Sequence, residues 1–231
     1  MYTLKTTYKK LLADTITPVS VYLKIRDKYP NSLLLESSDY HASDNSFSYI
    51  CCNPIASFKI ENEVIKESLP DGTSSDKKIT ADLHIPTLIQ NFSAKFKTLD
   101  QGFKFINNGL FGYIAYDGVK YFENISITAK EGNLKIPDIY YAVYQNIIAI
   151  NHFNNEAYIF DHNYNSESNL LEIEQLLKVK NFATYNFSRK DAVVSNLSDE
   201  EFKENVRKGK KHCQRGDVFQ LVLSRRFSQA F

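Results

Sequence analysis

Residues 139–160 read Ile-Tyr-Tyr-Ala-Val-Tyr-Gln-Asn-Ile-Ile-Ala-Ile-Asn-His-Phe-Asn-Asn-Glu-Ala-Tyr-Ile-Phe. Two β-rich runs, Ile139 to Ile150 and Glu156 to Phe160, flank Phe153-Asn154-Asn155, and that arrangement predicts a hairpin. A second hairpin is expected where Ser57 to Ile60 and Val64 to Glu67 flank Glu61-Asn62-Glu63. Strands joined as hairpins with helices interspersed, and no regular strand–helix alternation, argue against a doubly wound parallel sheet. The expected fold class is α+β, a mostly antiparallel β-sheet with flanking helices. The 15 tyrosines and 16 phenylalanines fit large β-rich packing surfaces.

Around these hairpins the remaining elements follow. Thr17-Pro18 opens a helix with Thr as N-cap and Pro in the first turn. Val19, Tyr22, Leu23 and Arg26 are expected on one face, with Pro30 as the stop. Ser32 to Ser37 has the length of a buried strand. Asp39 to Asn45 is a polar loop, and Phe47 to Cys52 is a strand ending at Asn53-Pro54. Leu69 to Leu83 is expected as a surface loop. Ile85, Leu88, Ile89, Phe92, Phe96 and Leu99 predict a helix over Pro86 to Leu99. Gly109 to Asp117 is a strand whose glycines admit another backbone or a ligand. Ser166 to Lys178 is a helix, and Val179 to Asn196 is mixed. Ser198-x-x-Glu201 is a capping box, with Gly216 as the C-cap. Val218 to Ser224 is expected as a strand; an uncovered apolar strand so near Phe231 suggests part of a longer protein.

Lys and Arg total 28 against 27 Asp and Glu, a formal charge of +1. That balance gives no reason to expect nucleic acid or an anionic membrane as partner. The basic stretch Lys203, Arg207, Lys208, Lys210 and Lys211 reads as a solvated helix face. No run approaches the roughly 18 apolar residues of a membrane span, and Met1 to Lys10 is too polar for a signal peptide. Cys51, Cys52 and Cys213 show no Cys-x-x-Cys spacing, so zinc is not indicated, and free thiols suit a reducing cytosol. Phosphate-loop, dinucleotide, nucleophile-elbow and His-Glu-x-x-His signatures are absent. His152 and His162 flank the 154 turn, but two histidines without a third ligand are a weak metal signal.

Two features stand out. Glu36-Ser37 follows a triple leucine, and burial there would penalise an unpaired carboxylate. The plainer reading pairs Glu36 with a surface Lys and lets Ser37 cap a turn. The functional reading is an amino-acid pocket, with acceptors for an ammonium, donors for a carboxylate and apolar walls. The second feature is Gly216-Asp217-Val218-Phe219-Gln220 with Ser224-Arg225-Arg226-Phe227, for which a helix cap and a decorated edge strand are the plain reading.

Five stretches occur in order: Leu33-Leu34-Leu35-Glu36-Ser37; Phe47-Ser48-Tyr49-Ile50 with Asn53-Pro54; Gly109-Leu110-Phe111-Gly112-Tyr113-Ile114-Ala115-Tyr116-Asp117; Ile136-Pro137-Asp138; and Gly216 through Phe227. Together they resemble anthranilate synthase component I, over essentially the whole chain. The resemblance implies a fragment of that two-sheet fold, with an amino-terminal regulatory domain over 1–180. A linker over 181–197 and the start of a chorismate-binding catalytic domain over 198–231 would follow. It implies a cytoplasmic lyase that makes anthranilate and pyruvate from chorismate with Mg²⁺. Ammonia would come from a glutamine amidotransferase, component II, and L-tryptophan would inhibit.

The catalytic and metal residues of that family fall beyond Phe231, so the fragment alone is expected to be inactive and to bind no metal. The tryptophan-binding positions that carry over are Leu35, Glu36, Ser37, Asn45, Ser46 and Phe47. An Arg-Tyr-Ser-Phe-Ile-Gly run common in the family is replaced by Ser46-Phe47-Ser48-Tyr49-Ile50-Cys51, which removes a possible cation for a ligand carboxylate. The para-aminobenzoate branch, aminodeoxychorismate synthase component I, is the nearest alternative. A non-catalytic amino-acid-binding module is a further one.

Overall fold

A computed structural model describes residues 1–36, 46–80, 82–127, 136–180 and 184–231. Ser37, Asn45 and the polar loop between them lie outside the described residues. The chain forms two compact units, Met1–Ala183 and Thr184–Phe231.

In the first unit, β1 (Tyr2–Leu12) leads to α1 (Pro18–Ile25), β2 (Leu33–Leu35) and β3 (Phe47–Glu61). Then come β4 (Val64–Ser68), β5 (Ser74–Lys78), α2 (Ile85–Ser93), β6 (Phe96–Thr98) and β7 (Phe111–Ile114). A 3-10 turn (Tyr116–Tyr121), β8 (Ile139–Asn151), β9 (Glu156–Asn163) and α3 (Leu170–Lys178) complete it. Among the described residues the strands form one sheet in the order β5-β4-β3-β8-β9-β1-β6, with β2 beside β3 and β7 beside β8. Every ladder is antiparallel except β1–β6. Both expected hairpins form, and the β3–β4 hairpin turns at Asn62-Glu63, where both residues have positive φ.

The sheet has two differently covered faces. On one, Val21 and Ile25 of α1 and Ile173 and Leu177 of α3 pack on Ile50, Cys52, Ile148, Ile150 and Ile159. On the other, Phe103 and Phe105 lie against Phe47, Tyr49, Tyr158 and Phe160, an aromatic layer to which no helix contributes among the described residues. Strand alternation sorts the residues: odd positions of β2 and early β3 face the aromatic layer, even positions the helices. A third cluster seats Ile85 and Phe92 of α2 on Phe58, Ile60, Ile65 and Ile139.

Several expectations are corrected. The α1 capping box is present, with Ser20 N–H donating to Thr17 Oγ1 at 3.1 Å and Thr17 N–H to Ser20 Oγ at 3.2 Å. The helix ends at Ile25, however, and buries Val21 and Ile25 while Val19 is 45% exposed. Asn53-Pro54 does not stop β3. Asn53 takes φ 58° and the register shifts between Pro54 and Ala56. A bulge absorbs the proline, which has no N–H to give the ladder.

Within the expected loop 69–83, Ser74–Lys78 pairs with β4 as a charged, fully exposed edge strand. Lysine on an exposed edge discourages pairing with another chain. The helix over 86–99 stops at Ser93, because Phe96–Thr98 extends to pair with β1. The helix expected from Ser166 begins at Leu170. There the buried carboxylate of Asp161 accepts from Gln145 Nε2 at 3.0 Å, Asn163 Nδ2 at 2.9 Å and Ser168 Oγ. Asn169, at the helix start, exchanges two hydrogen bonds with Asn146. The residues before Leu170 thus serve the sheet's polar groups, which burial requires to be satisfied.

In the second unit, β10 (Val194–Ser195) pairs with β11 (Phe227–Ser228) and α4 spans Asp199–Arg215. Ser198 and Glu201 form the capping box, and Gly216 closes the helix at φ 79°. Val218–Ser224 is not a strand: it makes no ladder, and Phe219 is fully exposed. A strand needs a hydrogen-bonded neighbour, and the unit supplies none along this stretch. Leu221 instead lies over α4, so close that a Cβ at Gly209 would meet its Cδ2 at 2.9 Å.

Two outcomes follow. Gly112 admits the backbone of β8; a Cβ there would sit 1.9 Å from the Tyr140 carbonyl oxygen. Gly112→Ala is expected to lower stability by about 1–3 kcal/mol, measured by urea unfolding; an unchanged midpoint contradicts this packing. Amide exchange of residues 218–223 is expected near the unprotected rate, and strong protection in a monomer would contradict the missing ladder.

Candidate functional site

The β2–β3 ladder pairs Leu33 with Cys51, Leu34 with Ile50 and Leu35 with Tyr49. This register brings together the two ends of the 36–46 connection, which carry the candidate residues. Leu35, 39% exposed, shares the aromatic face with Phe47 and Tyr49. Phe47 stacks on Phe105, ring centroids 4.7 Å apart at 25°, and on Tyr49 at 6.1 Å. Glu36 is exposed, one residue past the end of β2. Ser46 is buried and belongs to the opposite, helix-covered face. The four described candidates therefore divide: Leu35 lies opposite Tyr49 on the aromatic face that also holds Phe47, Glu36 is exposed just past the end of β2, and Ser46 is on the other side of β3.

Three further residues meet at this place, and nothing in the sequence links Phe105 or His152 to it. Tyr49 is half-buried, and burial raises the pKa of its phenol. Phe105 comes from the segment before β7, which has no periodicity to reveal it. His152 sits in the β8–β9 turn, where its N–H donates to Ser46 O at 3.0 Å and its Nε2 lies 2.7 Å from Ser48 Oγ. An aromatic shelf with a carboxylate at its edge can take a flat apolar group and hold an ammonium beside it.

His162, Cys51 and Cys52 are built into the core. His162 is buried on the aromatic face, bonded through Nδ1 to Thr6 Oγ1 at 2.9 Å and through Nε2 to Asn107 O at 2.8 Å. Since a carbonyl only accepts, Nε2 carries the proton. The ring borders a cavity of about 100 Å³ whose walls include Leu4, Phe96, Val143 and Tyr144. Burial lowers its pKa, against a smaller opposing effect of the Asn107 carbonyl. With separate partners, His152 and His162 do not form a metal pair. Burial pushes the Cys52 thiol up to about 12 and Cys51 higher still, so neither is a nucleophile. Among the described residues no three His, Cys, Asp or Glu side chains converge as a metal ion requires.

A family model, chorismate binding enzyme, matches residues 18–231. The chain belongs to that family. Anthranilate synthase component 1 of Lactococcus lactis is 30% identical over 234 residues, covering 96% of this chain and 49% of that one. Aminodeoxychorismate synthase component 1 of Bacillus subtilis is 28% identical over 155 residues, 62% of this chain and 33% of that one. The crystal structure of anthranilate synthase component I from Streptococcus pneumoniae superposes with a TM-score of 0.56 at 20% identity, over 95% of this chain and 48% of that one. The α+β fold with its mostly antiparallel sheet is thus shared with part of that structure. This chain spans about half the length of the curated relatives it matches. Among the described residues no helix is long and apolar enough to cross a membrane.

The state of His162 gives a pH prediction. Its folded pKa is depressed, so the unfolded chain binds the proton more tightly. Stability from the neutral ring is complete above about pH 6.5, the unfolded value, and is lost as pH falls below it. Urea midpoints are expected to drop between pH 7 and pH 5, and His162→Gln to flatten that drop. An equal slope in both proteins would show that His162 does not contribute.

Proposed function

We propose that this chain is the amino-terminal part of an anthranilate synthase component I, carrying part of a tryptophan feedback site. The observation that carries this reading is the β2–β3 register, which pairs Leu35 with Tyr49 and so puts it on the face of the Phe47–Phe105 stack, with Glu36 exposed just past β2. The shelf suits an aromatic side chain, and the Glu36 carboxylate suits the ammonium of an amino acid. Ser37 and Asn45 complete the proposed set. The whole protein would convert chorismate and ammonia, released from glutamine by a component II, to anthranilate and pyruvate, with Mg²⁺, in the cytoplasm. Residues 1–180 would be the regulatory part, 181–197 a linker and 198–231 the start of the catalytic part. The division of contacts after Ala183 supports that arrangement. The fragment alone would be inactive.

The aminodeoxychorismate branch is a second reading, supported by the Bacillus subtilis relative. Both are tested in the protein made from the whole reading frame that contains this chain. Given chorismate, ammonium and Mg²⁺, it is expected to form anthranilate, followed by its fluorescence, with inhibition by L-tryptophan. Aminodeoxychorismate as the product would transfer the protein to the second branch. Neither product, with tryptophan still bound, would leave a binding module. Ser37→Phe is expected to fill the pocket and raise the inhibitory tryptophan concentration by about tenfold or more, with turnover nearly unchanged. Undiminished inhibition would refute the site.

A further inference from the structure

We infer that His152 is a positioning residue for this amino-acid site, holding the first residues of β3 in register from the face opposite the ligand; the inference rests on the tryptophan-site reading above. The β3–β8 ladder pairs Phe47 with Asn151 and Ser48 with Ile150. His152 lies one residue beyond, opposite Ser46. Its N–H donates to Ser46 O at 3.0 Å, extending the ladder past the end of the strand. Its ring reaches back along the same face to Ser48 Oγ, 2.7 Å from Nε2. Ser48 is fully buried and His152 exposed, so an outer side chain closes on an inner hydroxyl.

The turn that carries His152 is itself fixed. Asn151 Oδ1 accepts the N–H groups of Phe153 at 2.9 Å and Asn154 at 3.1 Å. His152 is thus presented by a braced turn rather than a loose one. Residues 46 and 48 bracket Phe47, and alternation sends the Phe47 ring to the other face, onto Phe105. The main-chain bond to Ser46 and the ring contact to the Ser48 hydroxyl lie on either side of the residue that forms the shelf, and only the ring contact depends on the histidine side chain. The histidine itself is on the wrong face to touch a ligand there. Its loss should therefore weaken binding by loosening Phe47, while the distant core packing stays intact.

The chain contains no tryptophan, so the fluorescence of added L-tryptophan reports binding directly. Titration of the purified chain with L-tryptophan is expected to give a Kd about 5- to 10-fold higher for His152→Ala than for the unmodified protein. His152→Gln, whose amide can reach Ser48 Oγ, is expected to recover most of that loss. The amides of Phe47 and Tyr49 should exchange faster in His152→Ala only, with those of Ile147 to Ile150 unchanged. Equal Kd values for His152→Ala and the unmodified chain would overturn the inference and leave the site standing. A loss of affinity that His152→Gln does not recover would also overturn it. No binding by the unmodified chain would remove the site and the inference together.

Discussion

The ladder between β3 and β8 is the constraint on which the rest of the larger unit depends. It runs from Phe47↔Asn151 to Ile60↔Ile139, and both strands pass through the middle of the sheet. β8 is buried along nearly its whole length because helices cover one face and aromatic rings the other. Side chains alternate along a strand, so a one-residue slip would send each set to the wrong face. The register decides which of Leu34 and Leu35 meets the helices, and hence which residues can form a shelf. The bulge at Pro54 lets one long strand change register without breaking. The second polar device, Asp161 among neutral donors, joins β8, β9 and the approach to α3 without calling on a cation.

Much of this was legible in the chain. The hairpins, the Thr17 cap of α1, the capping box of α4 and the close backbone approach at Gly112 each rest on local chemistry that a few residues encode. What was hidden depended on partners far away. Pro54 reads as a stop because proline withholds an N–H, yet the bulge at that position accommodates it. Phe96 continues the apolar spacing of α2, yet β1 draws it into a ladder. Val218–Ser224 has the composition of a strand, and composition cannot create the neighbour a strand requires. At the site, the leucine run and Glu36 could be found because they adjoin in sequence. Phe105 and His152 could not, since only tertiary structure brings them to β3 from 58 and 105 positions past Phe47.

The family match covers nearly all of the chain, while the relatives extend to about twice its length. The fold and family therefore stand on different ground from catalysis. A sheet, its covering helices and a shelf of aromatic rings are local properties of residues 1–183. Two of its histidines have structural partners. His162 is neutral and bonded on both nitrogens, and His152 braces a strand.

The alternation at the start of β3 has a mechanical consequence. Ser46 and Ser48 belong to the side packed by α1 and α3, whereas Phe47 and Tyr49 belong to the aromatic side. Only one thickness of peptide separates the two environments. Anything that presses on the rings therefore presses, through the same few bonds, on the bed beneath the helices. The strand is a partition shared by two rooms, and it cannot be moved for one of them alone.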